Sequence, residues 1–226
     1  MTNKKKIGVA FALFALIVIV DQWVKFYVKT NFRLGESYEV FSWFYIRFVE
    51  NNGMAFGIEL GPKIILSTLR IIMCGGLLYY LYSICQKNYR ITYLLSVAAL
   101  TAGAMGNIFD CLFYGMIFSE STPFSVATLF PEAGGYAAAF QGRVVDMLYF
   151  PLIESRWPEA MPFCGGEKFV FFSPVFNIAD SFITVSIIYA ALFERDCIER
   201  EFGRLDAWWN SLRKKNSNTS NETEPR

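Results

Sequence analysis

Four long apolar runs dominate this chain, at about residues 7–28, 62–84, 91–115 and 175–193. Each approaches the ~20 residues that a helix needs to cross ~30 Å of hydrocarbon. No water is available there to satisfy a peptide group, so a crossing segment must close its hydrogen bonds internally, and the runs are predicted to be membrane helices. Composition agrees: 54% of the 226 residues are hydrophobic and only 18% are charged. The first run follows Lys4, Lys5 and Lys6, as the apolar core of a secretory signal peptide does. No small-residue cleavage site comes after it, and it reads as an uncleaved span.

Lysine and arginine set the expected direction. Lys4–Lys6 precede the first run, Lys87 and Arg90 lie between the second and third, and Arg195, Arg200, Arg204, Arg213, Lys214 and Lys215 follow the fourth. These segments alternate correctly for one side, so both termini are predicted cytoplasmic and the longer loops, 29–61 and 116–174, are predicted to face outward. In the first loop, "SYEVFSWFYIRFVENNGMAFG" alternates like strands broken at Asn51-Asn52-Gly53, which predicts a hairpin or small sheet on the membrane surface. The second loop is too long for a connector and is predicted to fold as a lid or platform. Residues 194–215, with Trp208 and Trp209, have the pattern of an interfacial helix, and the polar residues 216–226 are predicted disordered. The predicted fold is thus an all-α membrane protein: four transmembrane helices in one domain, 1–193, a small β-containing extracytoplasmic platform and a C-terminal interfacial helix.

Several chemistries are excluded. A net charge of +1, with basic residues at the ends and in short loops, gives no reason to expect nucleic acid as a partner. Five scattered cysteines without a C-x-x-C spacing form neither a disulfide framework nor a zinc site. Histidine is absent, which removes Ser-His-Asp, Cys-His and H-E-x-x-H arrangements together. Acid–base work in this chain falls to carboxylates.

With the predicted direction, polar residues in the runs gather at one depth. Asp21, Gln22 and Lys25 lie late in the first run, Asn107 and Asp110 late in the third, and Asn177 and Asp180 early in the fourth. Ionisable groups in hydrocarbon are costly and are tolerated where they meet partners or a water-filled cavity. Asn107 and Asp110, like Asn177 and Asp180, are i,i+3 pairs on one helix face. Singly, each has a plain reading: Asp180 as an acid at a helix start, Asn177 as an N-cap, Lys25 as an i,i+4 ion-pair partner of Asp21 or, more simply, a side chain snorkelling to the surface. Together they predict three helices converging on one polar site. A further acid, Asp146, sits among apolar residues in "GRVVDMLYFP", which predicts that this segment dips back towards Asp180. Two partly desolvated carboxyls share a proton, so one can activate water while the other polarises a carbonyl, as in aspartic proteases. A proton- or cation-coupled transporter also gathers acids in the membrane, although the internal repeats of many such carriers are absent here. A scaffold that uses its polar residues only to join helices is the third reading.

"DQWVK" (21–25), "NNGMAFG" (51–57), "GNIFD" (106–110), "GRVVDMLYF" (142–150) and "FNIADSFITV" (176–185) resemble, in order and topology, the motifs of bacterial lipoprotein signal peptidase, or signal peptidase II. The resemblance implies an aspartic endopeptidase of the bacterial inner membrane that removes the signal peptide of prolipoproteins before a diacylglyceryl-modified cysteine. It implies Asp146 and Asp180 as the catalytic pair, Asn51, Gly53, Asn107 and Asn177 as substrate-binding residues lining the site, and Asp21, Lys25 and Asp110 as supporting residues. It further implies no metal or other cofactor, diacylglyceryl-prolipoproteins and membrane lipids as partners, and a monomer. Two departures stand out: Cys111 follows Asp110 where the family commonly has arginine, with Arg143 the candidate substitute, and the segments 116–141 and 151–174 are expanded.

Overall fold

Small residues decide which helix lies in the middle. The computed structural model describes residues 2–52 and 63–221. Within it, α1 (Asn3–Asn31), α2 (Lys63–Cys85) and the run Ile91–Ile117 are long and apolar enough to cross a membrane. That third run comprises α3 (Ile91–Phe109), a π-helical turn (Asp110–Tyr114) and a last turn, α4 (Gly115–Ile117). Its apolar window is 61% buried, against 17% for α1 and 11% for α2, so it is the core helix. α1, α2 and α5 (Ile178–Phe193) pack against it, while the outer faces of α1 and α2 expose Phe11, Leu16, Ile19, Ile65 and Ile72. Apolar surface on this scale is matched to lipid rather than water.

Close approach to α3 depends on two glycines. A Cβ at Gly103 would lie 2.5 Å from the Ala179 carbonyl oxygen, and one at Gly106 would lie 2.5 Å from the Asp21 carboxylate. Small residues at such a seam let helix backbones meet without voids. Gly103→Ala is therefore expected to cost about 1–3 kcal/mol, because its methyl meets main chain that cannot step aside. A fall of several degrees in Tm in detergent checks this; an unchanged Tm would show that the seam has slack.

The polar segments build a four-stranded antiparallel sheet in the order β1 (Ser37–Phe41), β2 (Phe44–Asn51), β3 (Val144–Tyr149), β6 (Val175–Phe176). The hairpin turn falls at Ser42-Trp43, and β2 ends at Asn51, where the strand pattern was expected to break; Gly53 lies outside the described residues. Pairing with β3 extends β2 through Asn51, which sits opposite Val144. Stacked rings of Phe44, Phe150 and Phe176 follow the same sheet. Val144–Met147 are all buried, and Val145 and Met147 share a core with Val28, Phe48, Tyr114 and Phe118. A second hairpin, β4 (Ile153–Arg156) and β5 (Lys168–Phe171), occupies the expanded segment.

Two expected boundaries move. Val175 and Phe176 pair with Tyr149 and Leu148 as strand, so α5 starts at Ile178 and has 16 residues. The C-terminal helix α6 (Arg195–Asn221) continues past residue 215, where the polar tail was expected to be disordered. Once a helix is nucleated, each added residue gains a hydrogen bond, so polar residues can extend it without a buried face.

Candidate functional site

Lys25 is the centre of the polar cluster. Its side chain is fully buried, and its Nζ lies 2.9 Å from both Asp21 Oδ2 and Asp110 Oδ2. It also donates to Asn107 Oδ1 at 3.0 Å, which uses all three ammonium donors. The expectation that Lys25 snorkels is overturned: a route to water is unnecessary where two carboxylates neutralise it in place.

The two acids beside Lys25 each hold backbone. Asp21 Oδ1 accepts from the Ala179 amide at 2.9 Å, at the start of α5, where a carboxylate also complements the helix dipole. Asp110 Oδ2 accepts from the Val145 amide at 3.2 Å on β3. Ala179 directly precedes Asp180, and Val145 directly precedes Asp146. Each supporting acid thus clamps the residue before one of the remaining two acids. Gln22 closes the cluster by donating to Asp110 Oδ1 at 2.9 Å and to the Gly106 carbonyl at 3.1 Å, while accepting from the Tyr114 hydroxyl at 3.0 Å.

Asparagines connect this base to Asp146 and Asp180. Asn177 Nδ2 donates to Asp146 Oδ1 at 2.7 Å and to Asn107 Oδ1 at 3.1 Å, and Asn107 Nδ2 donates to Asp180 Oδ1 at 2.7 Å. Asn51 hydrogen-bonds the Asp146 carboxyl from β2. Asn177 is also the N-cap of α5: its Oδ1 accepts from the Asp180 amide at 2.9 Å in a reciprocal capping box with Asp180. The plain reading of Asn177 as a cap therefore holds, and the same side chain also joins Asp146 to Asn107. Of the nine sequence-derived site residues, Asp21, Lys25, Asn51, Asn107, Asp110, Asp146, Asn177 and Asp180 meet in this one network; Gly53 lies outside the described residues. No buried side-chain nitrogen or oxygen among the described residues lacks a partner.

The last two acids differ in setting. Asp146 is buried and Asp180 half-buried. Burial, and then the nearby Asp180 charge, push the Asp146 carboxyl up to about 7 from its ordinary 3.8. Between those values the folded chain keeps a proton that the unfolded chain has shed, so this group's contribution to stability is whole below about pH 4 and falls as pH rises towards 7. Asp146→Asn removes the titration. Its Tm relative to wild type is expected to improve by on the order of 5 °C between pH 4 and pH 8. A pH-independent difference would mean that Asp146 titrates at its ordinary value.

A neighbouring cluster escaped the sequence reading. Lys29, one turn beyond Lys25 on the same face of α1, is buried and ion-pairs with Glu50; Ser121 Oγ and Arg143 Nη1 donate to the same carboxylate at 3.0 Å. Burial alone would raise the Glu50 carboxyl, yet Lys29, Arg143 and Ser121 hold it below its usual range. This pins the end of α1 to the residue before Asn51. The 21, 25, 29 spacing was the available signal. Arg143 also pairs with Glu120 at 3.1 Å, and so it is not the arginine that meets Cys111. Arg70 on α2 is: its Nη1 lies 3.4 Å from Cys111 Sγ.

Known proteins similar to this chain fall in one family. The family model for signal peptidase (SPase) II matches residues 13–194. The chain is 51% identical over 181 residues to a lipoprotein signal peptidase of Porphyromonas gingivalis, covering 80% of each protein. It is 30% identical over 210 residues to one of Amoebophilus asiaticus, covering 90% of this chain and 84% of that protein. A solved bacterial membrane enzyme, 25% identical, superposes with a TM-score of 0.56 over 83% of this chain and 89% of that one. With a buried acid–asparagine network, membrane-length helices and these similarities together, the chain belongs to the signal peptidase II family, multi-pass membrane aspartic peptidases that remove signal peptides from lipoproteins.

Proposed function

We propose that Asp146 and Asp180 form the catalytic pair and that the enzyme cuts before a cysteine already carrying diacylglycerol. The observation that carries this reading is the asparagine bridge: Asp146, Asn177, Asn107 and Asp180 are joined in sequence by hydrogen bonds, with Asp146 raised to hold a proton near neutral pH. Protonated Asp146 donates to the scissile carbonyl while Asp180, as general base, takes a proton from water, whose oxygen bonds to the carbonyl carbon. The tetrahedral carbon then loses its C–N bond. Asp180 passes its proton to the departing nitrogen, and Asp146 recovers its own as the carbonyl re-forms. Asn107 and Asn177 keep the carboxyls oriented throughout, and Asn51 holds Asp146 from the sheet.

In this reading α1, α2, the Ile91–Ile117 run and the shorter α5 are four membrane crossings within one peptidase domain, residues 1–193. Both termini are cytoplasmic, the carboxylates lie near the outer leaflet, the sheet and expanded segments form an extracytoplasmic platform, and residues 194–215, which include most of α6, lie along the interface. The positions of the basic residues support that direction. Gly53 contributes to the substrate-binding loop, and the enzyme works as a monomer in contact with membrane lipids. The test uses purified enzyme in detergent with a diacylglyceryl-modified prolipoprotein and the same polypeptide without lipid. Cleavage of the lipidated form alone, with the new N-terminus at the modified cysteine by mass spectrometry, is expected; equal cleavage of both forms would sink the lipid requirement.

A further inference from the structure

Between Lys63 and Cys85, α2 carries a single charged side chain, Arg70. It lies about 10 Å along the helix axis from Lys63. A guanidinium at such a depth is costly unless it faces a partner or a cavity. Among the described residues no carboxylate lies within ion-pairing distance of it, and the contact it makes is to Cys111 Sγ at 3.4 Å, a weak acceptor. Most of its donors are therefore not spent on a strong acceptor in the described structure.

Arg70 does face a cavity. With Met73, Leu77, Asn107, Ile108 and Ile183 it lines a cleft of about 150 Å³ between α2, α3 and α5. Apart from Arg70 and Asn107 these walls are apolar, and Asn107 is the residue that donates to Asp180 Oδ1 at 2.7 Å. A group entering the cleft next to the carboxylates must offer an acceptor to a guanidinium and hydrocarbon to everything else. A diacylglyceryl-cysteine does both, with carbonyl oxygens at its esters and in its peptide backbone and acyl chains beyond them.

We infer that Arg70 is a substrate-binding residue that donates to carbonyl oxygens of the lipid-modified cysteine from the cleft beside Asn107. This rests on the proposed diacylglyceryl substrate. Nothing in the role requires proton transfer, so Arg70 acts on binding rather than on the chemical step. Cys111 Sγ lies 3.4 Å from the Arg70 guanidinium, so an arginine placed at position 111 starts from a point next to the same donors.

The test measures KM and kcat for wild type, Arg70→Gln, Arg70→Lys and the double variant R70Q/C111R on the lipidated prolipoprotein, together with Tm in detergent. Arg70→Gln is expected to raise KM about tenfold, the loss of one charge-assisted hydrogen bond, with kcat within about twofold. R70Q/C111R is expected to return KM to within about threefold of wild type. An unchanged KM in Arg70→Gln, or a lowered kcat with KM unchanged, overturns the inference, because a merely structural arginine would not act through KM alone. Should Arg70→Gln fail to fold, Arg70→Lys is read instead: a raised KM supports the role and a wild-type KM overturns it. A substrate with ether-linked alkyl chains separates the two acceptor sources. A penalty seen with the ester and absent with the ether places the contact at the glycerol esters, whereas an equal penalty with both places it at the peptide carbonyls. Wild type failing to cut the lipidated substrate would instead refute the proposed function, so the two failures are distinguishable.

Discussion

Asp146→Asn and Asp180→Asn are each expected to lower kcat by at least about a thousandfold while leaving insertion and folding intact. General acid–base groups contribute about 10²–10⁴ each, and two that act as one unit are each close to indispensable. Asparagine preserves shape and keeps an acceptor. At position 146 the Asn177 Nδ2 donor still finds an oxygen, and at position 180 Asn107 Nδ2 still does. What each variant loses is a titratable site. The new amide at position 146 cannot give a proton to the carbonyl, and the one at position 180 cannot take a proton from water. The measurement is single-turnover cleavage of a lipidated prolipoprotein by purified variants whose Tm is recorded alongside. Substantial activity in either variant would remove that residue from the pair. The wild-type rate is also expected to fall as pH rises through about 7, where the Asp146 proton is lost.

Lys25→Met is expected to destabilise the protein by about 3–5 kcal/mol, the largest structural effect of any single side chain here. Methionine fills similar volume, so the loss is electrostatic: Asp21 and Asp110 remain buried and near each other with no cation between them. Their relaxation moves the Ala179 and Val145 amides that they hold, and with them Asp180 and Asp146. Activity should fall with stability. The combined variant Asp21→Asn, Lys25→Met, Asp110→Asn is the control, since it leaves no buried charge and keeps an oxygen for each amide. It is expected to recover more than half of the lost stability, a strong non-additivity that thermal unfolding in detergent can detect. If the triple variant is less stable than Lys25→Met, the cluster stabilises through the ion pairs themselves rather than through avoiding an unpaired charge.

Much of this was legible in the sequence because membrane helices are written in a coarse code. Length and apolarity alone mark Asn3–Asn31, Lys63–Cys85 and Ile91–Ile117, and the cost of polar groups in hydrocarbon makes Asp21, Lys25, Asn107, Asp110, Asn177 and Asp180 conspicuous. Asp146 stood out for the same reason, as a carboxylate among apolar neighbours. Local periodicity carries such information because each residue's solvent is decided by its own segment.

Pairing decided the remainder. The extension of β2 through Asn51 and the late start of α5 both follow from contacts with β3, which lies far beyond β2 in the chain. The contacts of Lys25 with Asp110 and Asn107, the Lys29–Glu50 pair and the Arg70–Cys111 contact likewise join residues well separated in sequence. By itself the sequence determined which residues are costly to bury and therefore must have partners. Only the tertiary structure decided who those partners are, because the direction of a side chain and the register of a strand are set by the surfaces that close over them.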